Sequence, residues 1–220
     1  MIVTIDGPAG SGKSTAAKGL AARLGFRFLD TGALYRVTAY ECLRAGVDAN
    51  DEAAAVRVAD AIDVRFDGDR VFSAGTDVTA EIRTPAVTEA ASVVARFADV
   101  RQAMDRRQRE LAVGQNIVTE GRDQGTVVFP GAQCKFFLVA DAEERAARRK
   151  REMETQGHSI ALDELTVQIK DRDRRDADRP VAPLKAATDA INVETSRLKA
   201  DEVIDLLEQT VRERLADISG

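Results

Sequence analysis

The sequence is short of the residues on which several common chemistries depend. Its 220 residues include a single histidine, His158, and two cysteines, Cys42 and Cys134. The lone histidine sits in the loop-like stretch Gln156-Gly157-His158-Ser159. That leaves little room for a Ser-His-Asp triad or a histidine-ligated metal, and we assign His158 no role. The cysteines are far apart and form no C-x-x-C, which argues against a disulfide framework or a zinc site; both read as small buried hydrophobes. No apolar run approaches the ~20 residues of a membrane helix, and the start of the chain lacks the basic lead of a signal peptide. A cytoplasmic location is expected. Cationic excess is missing too: the net charge of −5 argues against a general nucleic-acid binder. There is no internal repeat, no low-complexity linker and no N-K-x-D guanine-reading motif.

What is present begins near the first residue. Gly7-Pro8-Ala9-Gly10-Ser11-Gly12-Lys13-Ser14 matches the phosphate-binding pattern G-x-x-x-x-G-K-[ST] in full. Its flanks fit: Met1 to Ile5 is a β-branched apolar run, and Ser14-Thr15 through Leu24 reads as an Ala-rich helix with an apolar seam. A chain wrapped around an anion must aim successive N–H groups at one point, often at backbone angles where a Cβ clashes, and Gly7, Gly10 and Gly12 permit this. The helix start adds a positive dipole end, the Lys13 ammonium reaches β- and γ-phosphates, and the Ser14 hydroxyl is suited to ligate Mg²⁺. Strand, turn and helix together favour a nucleoside triphosphate cradle over a Gly-rich surface turn.

The composition, 44% apolar and 31% charged, is that of one soluble domain with a small insertion or lid, and a monomer is expected. Apolar strands are predicted over 26–29, 116–120, 134–139 and 190–193, alternating with helices at about 33–45, 50–62, 85–95, 98–112 and 199–216. That alternation implies a mostly parallel sheet covered on both faces, with the ligand crevice beyond the strands' carboxyl ends. Asp30-Thr31-Gly32 and Gly121-Arg122-Asp123 fall at such ends. Asp63 to Phe72 breaks the alternation with a hairpin around Asp67-Gly68-Asp69, so about 62–83 reads as an inserted subdomain. In the helix after it, Arg101 flanks the seam of Phe97, Val100, Met104, Gln108 and Leu111, which half buries its stem.

From Glu143 to Arg179 the chain is rich in arginine. A charge-rich helix is most often a solvated face, but the spacing of Leu162, Leu165 and Ile169 continues onto Arg172, Asp176 and Arg179. One helix side therefore begins apolar and ends charged, which suits a polyphosphate cleft gripped by guanidinium forks. Two helices joined through 156–159 read as a hinged lid, at about 151–179.

Several stretches together resemble the bacterial cytidylate kinases. They are Ile5 to Thr15, Asp30-Thr31-Gly32-Ala33-Leu34-Tyr35-Arg36, Thr79 to Thr84, Gly121 to Pro130, Ala142 to Arg149, and Arg172 to Arg179 followed by Val181-Ala182-Pro183-Leu184. The phosphate loop is generic; G-R-D-x-G-T with F-P, then R-D-x-x-D-x-x-R and A-P-L, is specific to that family. The resemblance implies an α/β P-loop kinase of three layers with a parallel core sheet, an inserted monophosphate-binding subdomain and a helical lid, the core comprising about 1–61, 84–150 and 180–220. It implies transfer of the ATP γ-phosphoryl group to CMP or dCMP with Mg²⁺. By motif, residues 7–15 bind ATP, with Lys13, Arg122, Arg179 and Arg148 in the catalytic set. Thr31, Arg36, Arg122 and Arg179 bind the acceptor's phosphate; Ser92, Arg101 and Asp123 read cytosine; Arg172 and Asp176 contact the sugar. Arg148 or Arg149 supplies a transition-state or adenine contact, and the sequence leaves that choice open. Glu120 stands where many relatives carry Asp, keeping the charge with a longer reach.

The chemistry agrees with that division. Cytosine offers an N4 donor beside N3 and O2 acceptors, complementary to a carboxylate paired with arginine and hydroxyl donors, whereas uracil reverses the first two groups. Two other readings compete: a P-loop kinase for UMP or a metabolite, and a non-catalytic nucleotide-binding regulatory module. The second would be signalled by loss of Lys13 or of the arginine set, and both are intact.

Overall fold

The computed structural model describes residues 1–155, 160–179 and 181–219. In chain order the elements are β1 (Ile2–Asp6), α1 (Lys13–Leu24), β2 (Arg27–Asp30), α2 (Thr31–Arg44), α3 (Glu52–Ala61), β3 (Val64–Asp67), β4 (Arg70–Ser73), β5 (Thr76–Asp77), α4 (Pro85–Val94), α5 (Ala98–Ala112), β6 (Ile117–Gly121), β7 (Cys134–Val139), α6 (Ala142–Thr155), α7 (Leu162–Ala177), β8 (Ile191–Glu194) and α8 (Ala200–Ser219). A 3-10 turn at Glu81–Arg83 precedes α4, and a π-helical turn at Gln124–Val128 follows β6. The chain forms two compact units, one of Met1–Leu29 with Ala112–Gly220 and the other of Asp30–Leu111.

The first unit is built on a five-stranded sheet in the order β2-β6-β1-β7-β8. β1 pairs in parallel with β6 and β7, and β7 pairs in parallel with β8. Strands buried on both faces lose the polar alternation of a half-exposed strand, as the run Cys134-Lys135-Phe136-Phe137-Leu138-Val139 illustrates. Val3, Ile5, Phe136 and Leu138 pack with Ala17, Leu20 and Leu207 in one core that binds α1 and α8 to the sheet. Gly19 lets the two helices approach, since a Cβ there would lie 2.4 Å from Ile204 Cδ1. This is the expected α/β class, a parallel core sheet with flanking helices.

A smaller cluster of Ala146, Leu165 and Ile169 joins α6 to α7. The predicted seam holds from Leu165 onward, whereas Leu162, the first residue of α7, stays 40% exposed. The predicted hinge, Gln156-Gly157-His158-Ser159, lies outside the described residues.

In the second unit, α2, α3, α4 and α5 bury a continuous core that includes Leu34, Val37, Val94, Val100 and Met104. Pro85 occupies the first turn of α4, as read from the sequence. The predicted hairpin is one strand larger than expected, because β4 turns through Ala74-Gly75 and pairs antiparallel with β5. Ala74 holds a left-handed φ of 46° there, a conformation that alanine seldom signals in a sequence.

Candidate active site

The phosphate loop leaves the carboxyl end of β1, the central strand of the sheet. Gly7 is required twice over: its φ is +146°, and a Cβ would lie 2.1 Å from the Leu138 carbonyl oxygen on β7. Gly12 caps α1 in the left-handed region, leaving the amides of the first turn open to an anion. Lys13 is buried at 4% exposure, and its Nζ donates to the Pro8 carbonyl at 2.6 Å, spanning the loop. Burial, reinforced by the neighbouring Arg122 charge, pushes its ammonium down to about 7; Glu120 and Asp6 oppose the shift. An anionic phosphate placed here would restore the proton.

Ser14 and Thr15 are exposed at the start of α1. The Ser14 hydroxyl donates to Glu120 Oε1 at 2.9 Å. One hydroxyl beside one carboxylate is a hard-oxygen pair of the kind that suits Mg²⁺, which keeps several waters and takes few protein ligands. The longer reach of glutamate at this position is thus spent on a contact with the loop.

Beyond β6 the chain passes through Arg122 and Asp123 into the π-helical turn, a local conformation that the sequence reading did not anticipate. Asp6, the last residue of β1, accepts the amide of Gln124 at 2.9 Å and that of Gly125 at 2.7 Å. Burial raises the Asp6 carboxyl to about 6, with the Asp123 charge adding to the rise, while the two amides and Lys13 act against it. Asp123 is itself buried at 4% exposure.

The arginines of the first unit are sorted by partner. Arg122 Nε donates to Asp176 Oδ2 at 2.8 Å, and Arg179 pairs with the other oxygen of the same carboxylate. Burial would raise the Asp176 carboxyl, but Arg122, Arg179 and Arg172 outweigh it and hold the group below the usual carboxylate range. Arg172 is exposed on α7, yet its charge is felt at both Lys13 and Asp176. The helix side that begins with Leu165 and Ile169 therefore ends in a cationic cluster around one buried acid. Arg148 donates to the carbonyl and hydroxyl of Thr195, and its guanidinium lies 3.8 Å from where a Cβ on Gly12 would stand. Arg149 is exposed.

Arg145 was legible only as one more charge in the arginine segment. It is buried, donates to the Ala9 carbonyl at 3.0 Å and bridges Asp173 on α7 at 2.7 Å. Its place one turn past the carboxyl end of β7 is the signal that could have singled it out.

The remaining predicted residues belong to the second unit. Thr31 is buried in the first turn of α2, which Asp30 caps through the Ala33 amide at 3.0 Å. Arg36 donates to the Ile82 carbonyl at 3.2 Å and to Thr88 Oγ1 at 2.8 Å. Ser92 is exposed on α4, one turn after Thr88 on the same helix face. Arg101 is buried rather than half buried: it donates to the Ala95 carbonyl at 3.3 Å and lies over the Tyr35 ring at 5.6 Å.

A glycine loop between a central parallel strand and a helix, a buried lysine and a facing arginine cluster define a P-loop kinase. The shape agrees: the chain resembles a shikimate kinase from Bacteroides thetaiotaomicron at a TM-score of 0.51 and 13% identity, covering 96% of this chain and 98% of that one. An uncharacterized protein from Eubacterium ventriosum is similar at a TM-score of 0.55 and 16% identity, covering 97% and 98%. The sequence goes further, since the family model described as cytidylate kinase matches residues 3–213. The cytidylate kinase of Caldanaerobacter subterraneus subsp. tengcongensis is 44% identical over 210 residues, 96% of this chain and 94% of the relative. That of Pasteurella multocida is 46% identical over 208 residues, 93% and 92% respectively. The chain belongs to the cytidylate kinase family.

Proposed function

We infer that this protein transfers the γ-phosphoryl group of ATP to CMP, and to dCMP, giving CDP or dCDP and ADP. The observation that carries the reading is Arg122, whose guanidinium is anchored by the buried Asp176 while its charge is felt at Lys13 in the phosphate loop. A second phosphate beside the first is what such a pair of cations is suited to hold.

The reaction needs no general base, because the acceptor's phosphate oxygen is already an anionic nucleophile. That oxygen forms the new bond to the γ-phosphorus as the bond to the bridging oxygen of ADP breaks, and ADP carries away the electron pair. Catalysis is then a matter of aligning two like-charged groups and neutralising their charge, the work of the loop amides, Lys13, Arg122, Arg179 and Arg148. Ser14 and Glu120 are the residues that would hold Mg²⁺, which when bound would neutralise charge on the ATP phosphates.

Roles are assigned unit by unit. In the first, Arg122 and Arg179 hold the acceptor's phosphate, Asp123 accepts from the cytosine N4 amine, and Arg172 and Asp176 serve the sugar. In the second, Thr31 and Arg36 bind phosphate, and Ser92 and Arg101 donate to the base. The subdomain at about 62–83 serves the monophosphate, and the stretch at about 151–179 serves as lid. A coupled ADP-release assay across the common nucleoside monophosphates tests the reading. Turnover with CMP and dCMP alone is expected; equal rates with AMP or GMP would end it.

A further inference from the structure

Asp6 precedes the phosphate loop, and no part of the catalytic account uses it. It is a carboxylate at 4% exposure with both oxygens on consecutive main-chain amides, those of Gln124 and Gly125. Those amides close the loop that carries Arg122 and Asp123. The loop starts beside Asp6, since Gly121 is its register partner across β1 and β6.

The rest of the loop is packed as if to that grip. Gln124 is 2% exposed, and its Oε1 accepts from Thr119 Oγ1 at 3.0 Å. Gly121 leaves room for the Gln124 side chain, which a Cβ would meet at 2.7 Å. At Gly125 a Cβ would come within 3.0 Å of Thr4 Oγ1 and 3.4 Å of Asp6 Oδ2, so the turn lies directly against β1. Burying a carboxylate is costly, and a neutral residue or a well-packed apolar side chain would serve stability alone at least as well. The buried charge does something an apolar side chain cannot: it fixes two amides of one loop to the residue adjoining another.

We propose that Asp6 is a positioning residue that ties the acceptor-reading loop, Gly121 to Thr126, to the end of β1 just before the phosphate loop and so sets the placement of Arg122 and Asp123. The proposal rests on the acceptor roles given to those two residues above. Asp6 touches no substrate; it acts through the main chain of the loop it holds.

The test is steady-state kinetics of the full chain and of Asp6→Asn, with CMP and UMP as acceptors, alongside thermal unfolding. Asn keeps the shape but turns an NH₂ donor toward an N–H donor, so the loop must shift. We expect the KM for CMP to rise at least ten-fold and the ratio of kcat/KM for CMP over UMP to fall by a similar factor, with the KM for ATP within three-fold of the parent. A folded Asp6→Asn protein with lower thermal stability but an unchanged CMP-to-UMP ratio would overturn the proposal, because a merely structural acid would behave so. If Asp6→Asn does not fold, Gly125→Ala decides. Its added methyl crowds the same turn with Asp6 intact, and the same fall in ratio is expected, an unchanged ratio overturning the idea. Absence of CMP turnover in the parent chain would instead strike the functional reading.

Discussion

The Arg145 guanidinium spans from the Ala9 carbonyl of the phosphate loop, at 3.0 Å, to the Asp173 carboxylate on α7, at 2.7 Å. A further bond, from its Nε, returns to the Ala140 carbonyl at 2.9 Å. With all three partners engaged and the side chain only 6% exposed, its removal strands Asp173 and a loop carbonyl together. Arg145→Ala should lower stability by about 3–5 kcal/mol, the range for breaking one side of a buried pair. Urea unfolding of the variant against the parent measures it, and Asp173→Asn, which alters the less buried member of the pair and keeps an acceptor oxygen for Arg145, should cost clearly less.

Lys13→Ala should abolish turnover with any acceptor. The loss expected is at least on the order of 10²–10³ in kcat, the scale for deleting one preorganised charge donor. Lys13→Arg should fail as well. The Nζ lies in a buried space bridged to Pro8 at 2.6 Å, which a planar guanidinium does not fit. Single-turnover measurements at saturating ATP separate this from weaker binding.

Asp123→Ala should erode base selection more than catalysis. On the role proposed for Asp123, its loss removes the acceptor for N4, and the ratio of kcat/KM values for CMP over UMP should fall by about 10- to 100-fold. Comparing the two acceptors in one coupled assay checks it.

Asp6 also predicts a pH signature. Its carboxyl is raised from 3.8 to about 6 in the folded chain, so between those values the folded state binds more protons than the unfolded one. Its contribution to stability is therefore fully present below the unfolded value and is lost as pH rises through about 6. Asp176 runs the other way, because its depressed carboxyl contributes stability above the ordinary carboxylate range and loses it in acid. The stability difference between Asp6→Asn and the parent should change across pH 4 to 6 and be flat above about 7, as denaturant melts at a series of pH values would reveal.

What the sequence revealed was mostly local. The glycine loop, the β-branched strands and the helix seams are written in neighbouring residues, and the structure forms them within two or three residues of where pattern placed them. Arg172, Asp176 and Arg179 were legible through helix phase, and the Arg122–Asp176–Arg179 cluster forms within the first unit. What escaped notice was settled by distant partners. The turn at Gln124–Val128 is held by Asp6, more than a hundred positions earlier, and Arg145 looked like any other cation until its partners on the loop and α7 appeared. β5 was hidden because its turn uses an alanine where glycine or asparagine would have announced it.

The strand that launches the phosphate loop comes early in the sequence, yet both of its neighbours are supplied late: Ile2 meets Ile117, and Val3 meets Cys134. During synthesis, then, the loop emerges from the ribosome long before the strands that will flank it. Until β6 and β7 arrive, nothing holds Gly7 against the Leu138 carbonyl, and the nucleotide cradle has no walls. The earliest-made motif of the chain is one of the last to become competent, and a nascent chain halted before β6 should emerge blind to ATP.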